Sequence, residues 1–322
     1  MKKNILFIDG VRDSKIVKMV LISANGSSFD VGGSCNLFST LKSVEYLKNL
    51  LVLDANPSSN INIRGVDLIV NQIAEFDTFK NALAKIDAII KKYHIPCINK
   101  PQHIANTRRD TIYNKLRNID NLSIAKSIKI KPLKPLDIIR KIKENLNYPV
   151  IIREIDTHGS DSTYLIKSDE DVKNLYCIAL DAREYYLTQY HEYKDDKGLY
   201  KKYRLAVVNG EVFIRHCIIS ENWMIHHKSS NTKYIDEEIK ILKKFDSKVK
   251  AKIKPIIKKI YKEIGLEYFG IDCSIDKYLN IFVFEINANM NMLEKSDNHS
   301  DIYIDKIMKY TNSMILNRAN QL

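Results

Sequence analysis

Three side chains that can offer oxygen to a cation, Asp272, Glu285 and Asn287, sit close together in FGIDCSIDKYLNIFVFEINANMN, residues 269–291 of a 322-residue chain. Residues 269–275 and 281–286 read as strands rich in branched and aromatic residues, with a turn over 276–280. An antiparallel hairpin brings such groups near one another, and Glu285 and Asn287, two apart, share a face of a regular strand. Two carboxylates and a carboxamide make an all-oxygen set, suited to a hard cation such as Mg²⁺ that also holds nucleotide phosphates. A buried strand can carry one stray acid. An Asp, a Glu and an Asn on an otherwise apolar hairpin point to a site.

Phosphate chemistry also needs cations. Arg204 opens YRLAVVN (203–209), which with VFIRHCIIS (212–220) flanks Asn209-Gly210, the strongest short hairpin signal in the chain. From there a guanidinium can meet a phosphate or acyl phosphate through two hydrogen bonds; an ion pair with Glu211 or Glu192 is the competing role. Arg153 lies near the end of YPVIIRE (148–154), a buried strand, before the loop IDTHGSDSTYLI (155–166) with His158, Gly159, Ser160 and Ser162. That loop suits a flap over phosphates or an ordinary surface hairpin. YYLTQYHEY (185–193) holds Gln189, Tyr190, His191 and Glu192 and reads as an exposed-edge or inter-lobe strand. His226 and His227 are adjacent, so on a strand they face opposite ways and at most one can ligate a given ion. Packing or substrate contact suits them better.

The elements that must position these groups begin with an α/β lobe. Residues 4–8, 17–23, 50–53 and 67–71 are strand candidates, 37–49 has helical spacing, and 78–93 reads as a helix with lysines in its last turn. The glycine-rich stretch 24–36 has neither GxGxxG nor a Walker lysine, and suits a connection or substrate-side loop better than a phosphate cradle. The run around Pro96 and Pro101 leads out of this lobe. Asn106 or Thr107 is placed to cap a helix over 104–116, and Pro135 starts another. The lysine-rich stretch 234–265 reads as helix, broken near Ser247 and again at Pro255, with a solvated charged face.

Composition sets the bounds. With 45% hydrophobic residues the chain can build two or three packed lobes. No window suits a membrane span, and the ILFI run near the start is too short for a signal peptide, so a first core strand is expected. Five scattered cysteines with no CxxC argue against a zinc site or disulfide framework and for a reducing cytoplasm. A net charge of +12 suggests an acidic partner, yet the lysines are spread and no nucleic-acid-binding motif appears, so sequence-specific nucleic-acid binding is not expected.

The C-terminal residues resemble the ATP-grasp superfamily, whose carboxylate–amine ligases hold magnesium and ATP with an Asp on one strand and an ExN on the next. Here these are Asp272, Glu285 and Asn287. HGSDSTYLI, YHEYKDDKGLYKKYRLAVVNGEVFIRHCIISENWMIHH and the 269–290 hairpin look like a bacterial ATP-grasp-like branch often found behind tetratricopeptide repeats, which this chain lacks. The resemblance covers roughly residues 67–295. It implies an α/β ATP-grasp fold in three parts: a pre-ATP-grasp domain (1–98), a central lobe (99–184) and a C-terminal nucleotide- and metal-binding lobe (185–322). It implies ATP with Mg²⁺ (or Mn²⁺) as cofactors. Asp272, Glu285 and Asn287 would hold the metal, and Arg204 and Arg153 would offset phosphate charge. His158, Gly159, Ser160 and Ser162 would cover the phosphates, while Gln189, Tyr190 and His191 supply backbone contacts to adenine and Glu192 reaches ribose. The implied reaction is amide formation through an acyl phosphate, between small-molecule or peptide carboxylate and amine substrates; the basic charge balance leans mildly toward an acidic one. A homodimer is compatible with this reading. A kinase or an inactive nucleotide-binding module are the other classes. The sequence departs from the family at Arg109-Asp110-Thr111, where a lysine is typical, at Arg153, also in place of a lysine, and in the flap.

Overall fold

The computed structural model describes residues 1–23, 26–30, 37–54, 61–155, 162–225, 232–295 and 299–321. The chain opens with β1 (Lys3–Gly10), β2 (Lys18–Ser23) and β3 (Gly26–Asp30). There follow the short helix α1 (Leu37–Thr40), β4 (Tyr46–Leu53), β5 (Leu68–Asn71), helix α2 (Lys80–Tyr93) and β6 (Cys97–Ile98). A parallel sheet runs in the order β4-β1-β5-β6, while β2 and β3 make a separate antiparallel hairpin. The helical spacing expected over 37–49 is overturned. Helix ends at Thr40, and Tyr46–Leu53 instead forms an edge strand that leaves Leu47, Leu50 and Val52 exposed. Parallel pairing with β1 decides the conformation there, because local propensity is the weaker force. Helix α2 buries Ala82, Leu83, Ile86 and Ile89 on the sheet and ends at His94 in the left-handed region.

The next stretch holds helices α3 (Pro101–Ile104) and α4 (Arg109–Leu116), then β7 (Leu122–Ile124), β8 (Ser127–Ile130) and helix α5 (Pro135–Asn145). After them come β9 (Val150–Glu154), β10 (Thr163–Ile166), helix α6 (Asp169–Lys173) and β11 (Tyr185–Gln189). β10, β9, β11 and β8 form an antiparallel sheet in that order, so β11 is an inner strand and not an exposed edge. Helix α5 starts on Pro135 as the sequence suggests, and packs Ile138, Ile139 and Ile142 against Val150, Ile152, Ile166 and Leu187 in a core of its own. The expected capping of α4 by Asn106 or Thr107 is not found. Arg108 stands at the cap, while Asn106 donates to the Ile264 carbonyl and Thr107 to that of Ile104.

β12 (Tyr200–Val208) and β13 (Glu211–Ser220) form the expected hairpin, turning on Asn209 (φ 47°) and Gly210 (φ 79°). Two positive φ values in succession are the signature of the Asn-Gly turn that matches strand twist. Helix α7 (Ile235–Lys244), a π-helical segment (Phe245–Lys250) and helix α8 (Ala251–Ile264) realise the lysine-rich stretch, with the irregularity at Ser247 and Pro255 accommodated inside α8. Last come β14 (Tyr268–Ile275), β15 (Ile281–Ala288) and helix α9 (Ile304–Ala319). The sheet order is β13-β12-β14-β15-β7, with β7 parallel to β15. The sheets thus divide the chain differently from the expected segments: β7 joins the C-terminal sheet, and β11 belongs with β8 and β9. The whole of the middle sheet lies between β7 and β12. Its entry and exit are pinned side by side, since Gln189 N–H donates to the Lys126 carbonyl at 2.9 Å and Ser127 Oγ lies 2.8 Å from Thr188 Oγ1.

One hydrophobic core runs through both the N-terminal and C-terminal sheets. Asn99 (φ 56°) is buried at their junction. Its amide donates to the Tyr268 carbonyl (2.6 Å) and to Asn289 Oδ1 (2.7 Å), and its Oδ1 accepts from the N–H groups of Glu267 and Tyr268 (2.9 Å each). Asn71 and Asn289 extend the chain of amides to the Asn99 and Ile73 carbonyls. Asn99→Ala strands several buried groups at once, each worth about 1–3 kcal/mol when left unpaired. The expected loss is about 3 kcal/mol or more in a denaturant titration; a midpoint like that of a surface alanine variant would refute it.

Candidate active site

Two irregularities in the C-terminal sheet shape the site. The β12–β13 register shifts at Arg204/Leu205 and the β14–β15 register at Asp272/Cys273. Between the shifts, four residues face one another in a row across four strands: His216 opposite Arg204, Arg204 opposite Asp272, and Asp272 opposite Glu285. Bulges re-aim side chains in this way beside functional sites. Gly270 lies opposite Asn287, and a Cβ there would collide with the Met290 side chain, so glycine lets the chain after β15 close onto the sheet.

Asp272 is fully buried. Arg204 donates to it through Nε (2.7 Å) and Nη2 (2.8 Å), and Lys202 Nζ lies 2.8 Å from Oδ2. Burial alone would raise the pKa of this carboxyl, but the charges of Lys202 and Arg204 outweigh it and hold the group well below the usual carboxylate range. Asp272 also lifts the pKa of Arg204 against the opposing effect of burial. His216 is pushed well below its ordinary value, first by burial and then by the charge of Arg204, so its imidazole is neutral at pH 7.

The other cations come from outside this sheet. Arg109, the first residue of α4, pairs with Glu285 Oε2, and Arg153 of β9 has Nη1 4.0 Å from the same oxygen. The Asn287 side-chain amide has no partner among the described residues. The sequence expectation of a three-ligand metal set therefore divides. Glu285 and Asn287 offer hard oxygens side by side on one strand and fit Mg²⁺ by chemistry. Asp272 has both oxygens engaged by its own cations. Among the described residues no group of three His, Cys, Asp or Glu is placed to hold a metal.

Two cavities meet at this cluster. One, of about 400 Å³, is lined by Gln189, Tyr190, His191, Lys202, Arg204 and Trp223 among others. Its wall is aromatic: Tyr190 meets Trp223 edge-on at 5.8 Å, His191 meets Phe282 at 5.3 Å and Tyr193 meets Phe284 at 4.8 Å. The second, of about 410 Å³, is lined by Glu75, Asp77, Arg108, Glu154 and Asn291 among others. Arg109, Arg153, Tyr186, Glu285 and Asn287 line both.

Of the residues singled out in the sequence, Arg153, Arg204, Gln189, Tyr190, His191, Glu285 and Asn287 converge here, with Asp272 buried beneath Arg204. Gln189 and Tyr190 have their N–H groups committed to Lys126 and Pro149, whereas the His191 N–H has no partner among the described residues. Glu192 is not brought to this cavity. It accepts from the N–H groups of Tyr193 and Lys194 and from the Tyr200 hydroxyl, and it lines a separate groove. Arg204 pairs with neither Glu211 nor Glu192. His158, Gly159, Ser160, His226 and His227 lie outside the described residues; Ser162 is described but lines neither cavity. Sequence reasoning missed Lys202, which its spacing two residues before Arg204 could have flagged. It named Arg109 only as a departure, and no sequence signal links Arg109 to Glu285.

No family model matches the sequence, and no curated protein does. Solved structures do resemble it. A D-alanyl-alanine synthetase A from Vibrio cholerae matches with a TM-score of 0.55 and 12% identity, over 100% of this chain and 99% of that one. The VanG D-Ala:D-Ser ligase from Enterococcus faecalis matches with a TM-score of 0.58 and 12% identity, over 99% and 100%. A carboxyaminoimidazole ribonucleotide synthase from Aspergillus clavatus, complexed with ATP, matches with a TM-score of 0.52 and 11% identity, over 96% and 77%.

Proposed function

We infer that this chain, which has the ATP-grasp fold, is an ATP-dependent carboxylate–amine ligase. The observation that supports the reading most is the meeting of two cavities at one cluster of cations, Arg109, Arg153, Lys202 and Arg204. The adenine lies in the aromatic cavity, where the His191 N–H offers a donor to its edge, and the phosphates extend to Lys202, Arg204 and Arg153. The acceptor carboxylate occupies the second cavity beside Arg108.

One carboxylate oxygen attacks the γ-phosphorus; that O–P bond forms as the bond to the β-phosphate oxygen breaks, and ADP leaves. Lys202 and the arginines offset the charge on the transferring oxygens, and Asp272 fixes the plane of the Arg204 guanidinium. An amine then attacks the acyl carbon, phosphate departs with the C–O electron pair, and the amine proton passes to water. Mg²⁺ held by Glu285 and Asn287 would neutralise phosphate charge. Because the chemistry is positional, no nucleophilic side chain is required.

Incubation with ATP, Mg²⁺ and pooled amino acids and short acidic peptides is expected to release ADP and yield a product heavier by the amine minus water. Phosphate left on the acceptor would identify a kinase, and nucleotide binding without turnover on any pool would identify a binding module. Either result sinks the ligase reading. Among the described residues no helix is long and apolar enough to cross a membrane.

A further inference from the structure

We propose that Arg109 is a gate on Glu285: it keeps that carboxylate closed to a divalent cation until the phosphates of a nucleotide draw the guanidinium away. The proposal rests on the reading of the site as an ATP site and deepens it. It sets an order in which nucleotide enters first and metal second.

The pairing of the charges carries the argument. Asp272 is enclosed by Arg204 and Lys202 and offers no oxygen to a newcomer. Glu285 is the acid that lines both cavities, and its Oε2 meets the Arg109 guanidinium, whose Nη1 also lies 3.5 Å from the Phe284 carbonyl. Glu75, Asp77 and Glu154 line the second cavity with Arg108, so the wider site is close to charge balance and the local pair decides. A divalent cation arriving alone meets a carboxylate already paired. A polyphosphate changes that, because each phosphate oxygen competes with Glu285 for the guanidinium.

The geometry gives the exchange somewhere to go. Arg109 lines both cavities, so its side chain has space on the phosphate side of Glu285. The Asn287 amide, without a partner among the described residues, is ready to join the Glu285 carboxylate around an ion once the guanidinium leaves. Arg153 stands at 4.0 Å from the same oxygen and is the lesser pair, which makes Arg109 the group that must move.

The test uses Mn²⁺ alone, followed by its electron paramagnetic resonance signal, titrated into the full chain without nucleotide. Wild type is expected to leave the free-ion signal unchanged into the millimolar range. Arg109→Met and Arg109→Gln are expected to bind Mn²⁺ at least about tenfold more tightly than wild type. Adding Glu285→Gln to either removes that binding, and Arg109→Lys, which keeps the charge, stays closed. Thermal melts identify which variants are folded, and the two neutral replacements guard against one that is not. Wild type binding Mn²⁺ by itself as tightly as the neutral variants would overturn the gate, as would folded neutral variants that bind none. Failure of the ligase reading shows instead as absent ADP release, in a separate experiment that leaves the Mn²⁺ result standing.

Discussion

Asp272→Ala is expected to lower folding stability by about 3 kcal/mol, at the lower end of the 3–5 kcal/mol typical for removing one partner of a buried ion pair. The lower end applies because the side chains of Lys202 and Arg204 are 21% and 24% exposed and regain some hydration. Three contacts disappear together: both Arg204 bonds and the Lys202 pair. What remains are two cations facing each other inside a sheet, so the damage is electrostatic before it is a matter of volume. That distinction can be measured. If uncompensated charge is the cause, adding Lys202→Met and Arg204→Met to Asp272→Leu restores most of the loss in chemical denaturation, since a matched apolar replacement of such a cluster is often neutral. If the triple variant is no more stable than Asp272→Ala, packing and not charge was holding the strands.

The second large effect concerns turnover. Arg204→Lys keeps a positive charge and leaves Asp272 paired with Lys202, so the fold is expected to survive with a melting temperature near that of wild type. ADP release under saturating substrates is nevertheless expected to fall about 10²–10³-fold, the range for removing one preorganised donor from developing charge. A lysine ammonium lacks the planar fork that lets Arg204 lie flat against the Asp272 carboxylate while presenting its remaining N–H groups elsewhere. Saturation kinetics separate the alternatives. A rise in KM for ATP with kcat intact would make Arg204 a ground-state phosphate contact and remove it from the transition state.

How legible all this was depends on the distance over which the determining force acts. The β14–β15 hairpin and the Asn209-Gly210 turn are written locally, in strand periodicity and turn chemistry, and both appear where the sequence puts them. Tyr46–Leu53 is not: a strand with one face wet and Leu47 and Leu50 exposed gives a blurred period, and only β1 makes it a strand. The two register shifts are invisible in sequence because a bulge is a relation between strands, and they decide that His216, Arg204, Asp272 and Glu285 form a row. Arg109 and Glu285 lie far apart in the chain, and the ion pair follows from how α4 is set against β15. Gln189, expected to meet adenine through its backbone, lines the cavity, but its N–H is spent on Lys126 and its side chain on the backbone of Asn147. Glu192, three residues on, turns back into its own loop.

The middle sheet enters and leaves the rest of the molecule through two neighbouring strand ends, with its own core behind it. It is tied to the rest elsewhere too, by the Lys129–Asp77 pair and by α4 packed on β8. No strand is shared between this sheet and the C-terminal one. Arg153 stands on the middle sheet, and Arg204, Asp272 and Glu285 on the C-terminal one. The 4.0 Å gap between Arg153 and Glu285 therefore spans the seam, so the aperture of the site and the setting of the lobe are one coordinate.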